Sequence, residues 1–346
     1  MTGSSTIEIE NLDVRTDLIV ENLESGELSP QDGIKVNEYT TDNYRVTEVE
    51  VPEKDAERIG KKPGTYITID TSAIIHPDHD ALLKLQKLIA NIIHRFLQKY
   101  GITDDALCMV VGLGNDDVTP DALGPLVVRK IFVTNHLFAL HPESISEEDF
   151  RPITAIAPSV MGSTGIETYE IINALVQTVN PSFLIVVDAL ASKSIRRVNR
   201  TIQISDAGIS PGSGVGNKRK EISRDTVNIP VISIGVPTVV DAVTITHDVI
   251  DMLLKHLSYH LKNTRASSKI IPAASERIAN IEEVEPLSEE LTAELLGKIG
   301  LMTNEEKRQL IREVLTPQGL NMMVTPKEID QDIEDLAQII ARGINL

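Results

Sequence analysis

Between Asp80 and Tyr100 the apolar residues Leu82, Leu85, Leu88, Ile89, Ile92, Ile93, Phe96 and Leu97 recur at steps of three and four, which predicts an amphipathic helix with one broad buried stripe. Ahead of it the period is two. Ile34-Lys35-Val36, the alternating run Tyr44 to Val51, and Gly64 to Asp70 after a Lys-Lys-Pro-Gly turn make Gly33 to about Ser72 a small antiparallel meander. In the middle third, short apolar runs alternate with helical stretches: Leu107 to Val111 then Ala122 to Phe138, Ile153 to Ala157 then Ile166 to Val179, Leu184 to Val187, and Val231 to Ile234. That alternation predicts an α/β fold with a mostly parallel sheet core flanked by helices. Runs such as Ile185-Val186-Val187 mark strands covered on both faces. Ligands of such sheets sit beyond the carboxyl ends of the strands, so the residues just after Val111, Val187 and Ile234 are where chemistry is expected.

From Lys262 to about Glu285 the chain turns polar and reads as a surface linker. Helical patterns follow at Leu291 to Ile299, Glu305 to Leu315 and Glu328 to Ile340, with Thr303 and Thr325 at cap positions and Pro326 near the start of the last helix. The pattern therefore divides the chain into an aperiodic N-terminal segment (residues 1–13), an α/β domain (14–265) that includes the β-rich lobe 33–72, and a helical C-terminal segment (266–346).

Composition narrows the function. The 346 residues are 41% hydrophobic and 24% charged, and no apolar run approaches the roughly 18 residues needed to span a bilayer. Thirty-three Lys and Arg against 51 Asp and Glu give a formal charge of −18, which repels nucleic acid. Aromatic residues are 3% with no Trp, so stacking platforms for single strands are missing. The lone Cys108 forms no intrachain disulfide, and the acidic N-terminus is unlike a secretory signal, so a cytoplasmic location is expected.

Covalent catalysis finds no support, because there is no Gly-x-Ser-x-Gly elbow and Cys108 lies inside an apolar strand. His76-Pro77-Asp78-His79-Asp80, and His256 with His260, have ligand-like spacings but read better as a polar loop and a helix face. The glycine-rich stretch Pro211 to Lys220 lacks Gly-Lys-Ser/Thr and reads as backbone freedom, or as a loop whose Lys218-Arg219-Lys220 attracts acidic peptide. The sharper signal is Gly112-Leu113-Gly114-Asn115, a turn that ends a buried strand, followed by Asp121. Leu184 to Val187 delivers Asp188 at the end of a second strand. Two acids at adjacent strand ends share one proton, so one can take a proton from water while the other donates to a carbonyl oxygen, which is amide hydrolysis without a covalent intermediate. Competing readings stay open: Asp121 as a helix cap, and Asp188 as a turn cap or a partner of Arg196 or Arg197. Ser192, Lys193 and Ser194 are candidates for positioning contacts, and Asp241 and His247 either shape the site or serve as cap and surface residues.

These residues resemble a known family. Val14-Arg15-Thr16-Asp17-Leu18, Gly60 to Gly64, Gly112 to Pro125, Phe150-Arg151-Pro152, Gly165 to Thr168, Asp188-Ala189-Leu190, Ile202 to Lys220, Pro237 to Val243, Leu315-Thr316-Pro317 and Met323 to Glu328 are similar to the germination proteases of spore-forming bacteria. The resemblance implies an atypical aspartic-type endopeptidase that degrades small acid-soluble spore proteins, without a cofactor, in the spore core. It also implies a core similar to hydrogenase-maturation proteases, a homotetramer, and a zymogen shortened at its N-terminus. Its catalytic aspartates fall on Asp121 and Asp188. Its substrates are cut in an acidic-apolar context, Glu followed by Phe or Ile, and Ile7-Glu8-Ile9-Glu10 is similar, so self-processing between Ile7 and Arg15 is expected. Two other readings remain: a metal-dependent peptidase in which Asp121, Asp188 and a histidine such as His247 hold a divalent ion, and a non-catalytic binding or storage protein.

Overall fold

A computed structural model describes residues 16–24, 33–71, 79–140, 150–212, 219–262, 284–285, 287–315 and 322–346. The aperiodic start, most of the polar linker, residues 213–218 of the glycine-rich stretch and His76 to Asp78 lie outside these residues. The chain forms two compact units, residues 1–240 with 325–346, and residues 241–324.

The first unit is built on one sheet of strands β1 (Lys35–Thr41), β2 (Tyr44–Val51), β3 (Gly64–Asp70), β4 (Cys108–Gly112), β5 (Ile153–Ile156), β6 (Phe183–Ser192), β7 (Thr201–Ser205) and β8 (Val231–Asp241), in the order β1-β2-β3-β7-β8-β6-β4-β5. The half β8-β6-β4-β5 is parallel. The expected meander is present, and it joins the core directly: β3 pairs antiparallel with β7, and β7 with β8, so the meander extends the same sheet.

The two faces of the parallel half are covered by different helices, as the continuous apolar runs required. Cys108, Val110, Ile185 and Val187 pack with Leu123 and Val127 of the helix Leu123–Lys130, with the helix His79–Lys99, and with Ile333, Leu336 and Ile340 of the helix Ile329–Asn345. Met109, Val111, Leu184 and Val186 face Tyr169, Ile172 and Val176 of the helix Thr168–Val179. Cys108 is core, its thiol pushed up to about 12 by burial. The helix expected over Ala122 to Phe138 breaks at Ile131, which is extended, and resumes as Asn135–Leu140. Tertiary pairing wins there: Thr134 exchanges hydrogen bonds with Ile153, its N–H donating to the carbonyl and its Oγ1 accepting from the amide.

The compact units part at Asp241 and Thr325 rather than near residue 266. The last helix buries its apolar stripe against His79–Lys99 and Leu123–Lys130, which returns it to the first unit. Thr325 caps nothing; its hydroxyl donates to the Thr238 carbonyl at 2.8 Å. The second unit holds the helices Ala242–Lys262, Glu289–Leu296 and Asn304–Leu315. The last begins with a reciprocal cap between Thr303 and Glu306. Among the described residues no helix is long and apolar enough to cross a membrane.

Candidate active site

The chain leaves β4, crosses to β5 on one side and returns to β6 on the other, so the crevice at the carboxyl ends of β4 and β6 is the topological switch point of the parallel half. β4 stops at Gly112, beside Val187, and Leu113 N–H donates to the Val187 carbonyl at 2.8 Å. β6 does not stop. It runs to Ser192 along β8, so Asp188 sits within a strand, paired with Gly235, at the point where the β4 side of that strand falls open. The expected strand end at Asp188 is therefore absent, because β8 holds the chain in the sheet as far as Ser192, and the opening beside Asp188 comes instead from the end of β4.

Close backbone approach sets the turn after β4. A Cβ on Gly112 would lie 2.1 Å from the Gly124 carbonyl oxygen, and one on Gly114, at φ +114°, would lie 1.9 Å from that of Asp121. The turn therefore folds back on Thr119–Asp121, where Asn115 N–H donates to Asp121 Oδ2 at 2.8 Å. Thr238 of β8 holds the same turn through a 2.6 Å bond from its hydroxyl to the Pro120 carbonyl. The cap reading of Asp121 fails, since Ala122 is the residue that precedes the helix Leu123–Lys130 and no side chain caps it.

Asp188 is 5% exposed, and its Oδ1 accepts from the Ala189 N–H at 3.0 Å. Burial first, then the charges of Asp121 and Asp17, hold its carboxyl well above the usual range, against the Ala189 bond and Arg219. Burial also raises Asp121, while the Asn115 bond and Arg219 lower it. Both carboxyls are thus held above the ordinary carboxylate range, Asp188 the further of the two, partly by the charge of Asp121. Neither Arg196 nor Arg197 forms an ion pair with Asp188 among the described residues; Arg197 is engaged by Glu24, Asp70 and Glu21.

The segment Ser192-Lys193-Ser194 is tied to another carboxylate through one hydroxyl and two backbone amides. It binds Glu21 of the helix Ile19–Glu24: Ser192 Oγ at 2.6 Å, Lys193 N–H at 2.7 Å and Ser194 N–H at 3.0 Å. Asp241 accepts from the Val243 N–H at 2.8 Å, which is the cap reading. His247 lies in the second unit, and no group of three or more His, Cys, Asp or Glu among the described residues could hold a metal ion. The metal reading thus has no ligand set there. Asp116 pairs with Arg129.

Pattern reading did not single out Asp17, whose charge acts on Asp188. Its backbone N–H donates to the Ala191 carbonyl at 3.3 Å, its carboxylate accepts from the Ala191 N–H at 2.9 Å, and Gln203 holds its carbonyl at 3.1 Å. These bonds fix a third carboxylate close enough for its charge to act on Asp188. The charge of Arg219 acts on both aspartates and lowers both.

A sequence profile described as germination protease matches residues 8–346. The chain belongs to the germination protease family. Curated germination proteases from Geobacillus sp. (strain WCH70) and Bacillus cereus (strain B4264) are 49% and 48% identical to it, each over 98% of this chain and 95% and 94% of their own. Membership makes the chain a peptidase, of a family named for spore germination. A solved [NiFe] hydrogenase maturation protease from Thermococcus kodakarensis aligns with 38% of this chain and 74% of its own at 18% identity and a TM-score of 0.24. An overlap that loose carries no argument; the sheet order itself establishes the α/β class.

Proposed function

We propose that this germination protease is an aspartic-type endopeptidase that hydrolyses small acid-soluble spore proteins in the spore core, with Asp121 and Asp188 as its catalytic pair. The observation that carries the reading is a nearly buried carboxyl at the switch point, Asp188, pushed well above the usual range by burial and by the charge of a second acid, Asp121. Ionised Asp121 takes a proton from water as the oxygen attacks the scissile carbonyl carbon. Protonated Asp188 gives its proton to the carbonyl oxygen. Collapse of the tetrahedral diol returns that proton to Asp188, and Asp121 passes its own to the leaving amine. Arg219 lies where its charge favours an acidic stretch of substrate beside the pair.

The protein is further read as a homotetramer made as a zymogen that processes itself between Ile7 and Arg15. The deciding experiment incubates the full chain with a small acid-soluble spore protein, with and without a chelator. Cleavage unchanged by the chelator, together with loss of the Met1 start in N-terminal sequencing at mildly acidic pH, is expected. Chelator-sensitive cleavage would replace the aspartate pair with a metal centre.

Asp17 gives a finer test. Its negative charge helps Asp188 keep a proton, so Asp17→Asn is expected to lower the pH at which Asp188 ionises and to move the alkaline limb of the cleavage profile to lower pH. An alkaline limb at its original position in the kcat/KM profile would show that Asp188 does not control it.

A further inference from the structure

Pro237 stands inside β8, a strand with neighbours on both sides, where it has no N–H to give to the ladder. The strand answers with a bulge. Leu190 of β6 pairs with Pro237 and Ala191 with Val239, so Thr238 between them is paired with no residue of β6. Bulges beside active sites re-aim a side chain, and this one lies two pairs beyond Asp188, which is matched with Gly235. Thr238 is 1% exposed, and both of its oxygens are engaged: the hydroxyl donates to the Pro120 carbonyl at 2.6 Å, and the carbonyl accepts from Thr325 Oγ1 at 2.8 Å.

That hydroxyl holds the residue before Asp121. The ring of Pro120 fixes its φ, so the direction of its carbonyl is set by ψ alone, and the same torsion decides where the Cα and side chain of Asp121 stand. The Pro120–Asp121 peptide is clamped at both ends, its N–H on the Val118 carbonyl at 2.8 Å and its carbonyl on Thr238. Of these two clamps only the second comes from outside the turn. A single 3₁₀ turn such as Thr119–Asp121 is weakly held by its own bonds, so the outside clamp matters most. With the peptide plane held, the Asp121 carboxyl meets the Asn115 N–H at 2.8 Å. We infer, on the reading of Asp121 as the base that takes a proton from water, that Thr238 is a positioning residue for peptide hydrolysis, its hydroxyl fixing the place of the Asp121 carboxyl through the Pro120 carbonyl. A β-branched side chain, stiff at χ1, suits that task.

Thr238→Val keeps the shape and removes the donor. In the full chain it is expected to lower kcat for cleavage of a small acid-soluble spore protein by about 10- to 100-fold, the cost of a misplaced catalytic group, with KM changed by less than about twofold. The acid limb of its kcat/KM profile should also move to higher pH. The Asn115 bond lowers Asp121 and weakens once the carboxyl is released, while Arg219, which also lowers Asp121, and Asp188, on which Asp121 acts, are unchanged. Thr238→Ser returns the hydroxyl and should restore most of the kcat and the original acid limb. Thr68→Val, at another buried threonine whose hydroxyl has no partner among the described residues, should cleave like the wild type. Thr325→Val frees the bulge carbonyl and leaves the Thr238 hydroxyl in place, so it should show the same two changes in smaller measure. Asp121→Asn is measured alongside. If it is inactive while Thr238→Val cleaves with the wild-type kcat and acid limb, or if Thr238→Ser loses as much as Thr238→Val, the positioning role is overturned and the base stands. Where Thr238→Val does not fold, a wild-type kcat and acid limb in Thr325→Val overturns the role in its place. Undiminished cleavage by Asp121→Asn overturns the base and the positioning role together.

Discussion

Asp188→Asn is expected to lower kcat for cleavage of a small acid-soluble spore protein by about 10³-fold or more and, at neutral pH, to make the protein more stable than the wild type. The loss follows from chemistry: an amide presents no acidic proton to the carbonyl oxygen and cannot take one back, and general acid–base transfer contributes roughly 10²- to 10⁴-fold. Asp121→Asn removes the base and is expected to cost as much. Because the two act as one unit, the double variant should lose little more than either single one.

The gain in stability comes from the same burial. Unfolded, Asp188 ionises near its ordinary 3.8; folded, it holds its proton to well above that value. Between those two points the folded chain binds more protons than the unfolded chain, so stability falls as pH rises through the interval, and the cost is fully present above it. Asparagine carries no such cost. Denaturant unfolding should therefore find Asp188→Asn more stable than wild type at pH 7 and the difference fading toward pH 4. An Asp188→Asn chain that cleaves at the wild-type rate removes the catalytic pair; one that is inactive but less stable at pH 7 shows a structural carboxylate instead.

The positions of both aspartates were legible because they depend on local pattern. A buried strand ending in Gly-x-Gly-Asn, and an acid directly after Ile185-Val186-Val187, are visible in a single reading of the chain. What pattern hides is pairing across long separations. The sequence places the β-rich lobe within the α/β domain but not how it joins the sheet, because nothing in Gly64 to Asp70 announces that it will pair with Thr201–Ser205. The length of β6 is hidden for a like reason, since Ala189 to Ser192 are held in the sheet by β8 rather than by their own periodicity. The last helix looks, by its own stripe, like part of a C-terminal segment, and only the complementary face of His79–Lys99 assigns it elsewhere. Asp17 and Glu21 carry no pattern at all, because the Ala191 amide and the Ser192 hydroxyl that they bind lie more than 170 residues away.

Glu21 is where that hidden pairing has its largest expected consequence for stability. The side chain is 4% exposed and accepts hydrogen bonds from Thr16 Oγ1, Ser192 Oγ, Lys193 N–H and Ser194 N–H, with Arg197 Nε 3.9 Å away. Burying a carboxylate is tolerable only with such a set of donors, and deleting it strands them together with a guanidinium. Glu21→Ala is expected to destabilise the first unit by about 3–5 kcal/mol. Glu21→Gln keeps one acceptor oxygen and the shape, so it should lose less, by about half. Ser192–Ser194 closes the strand that carries Asp188, and Asp17 lies in the segment anchored by the same helix, so the damage reaches the candidate site. Hydrogen exchange should show the amides of Lys193 and Ser194 losing protection in Glu21→Ala before those of β4. A variant as stable as wild type, with those amides still protected, would mean that the helix Ile19–Glu24 is held by Leu18, Ile19 and Val20 in their apolar cluster rather than by its buried carboxylate.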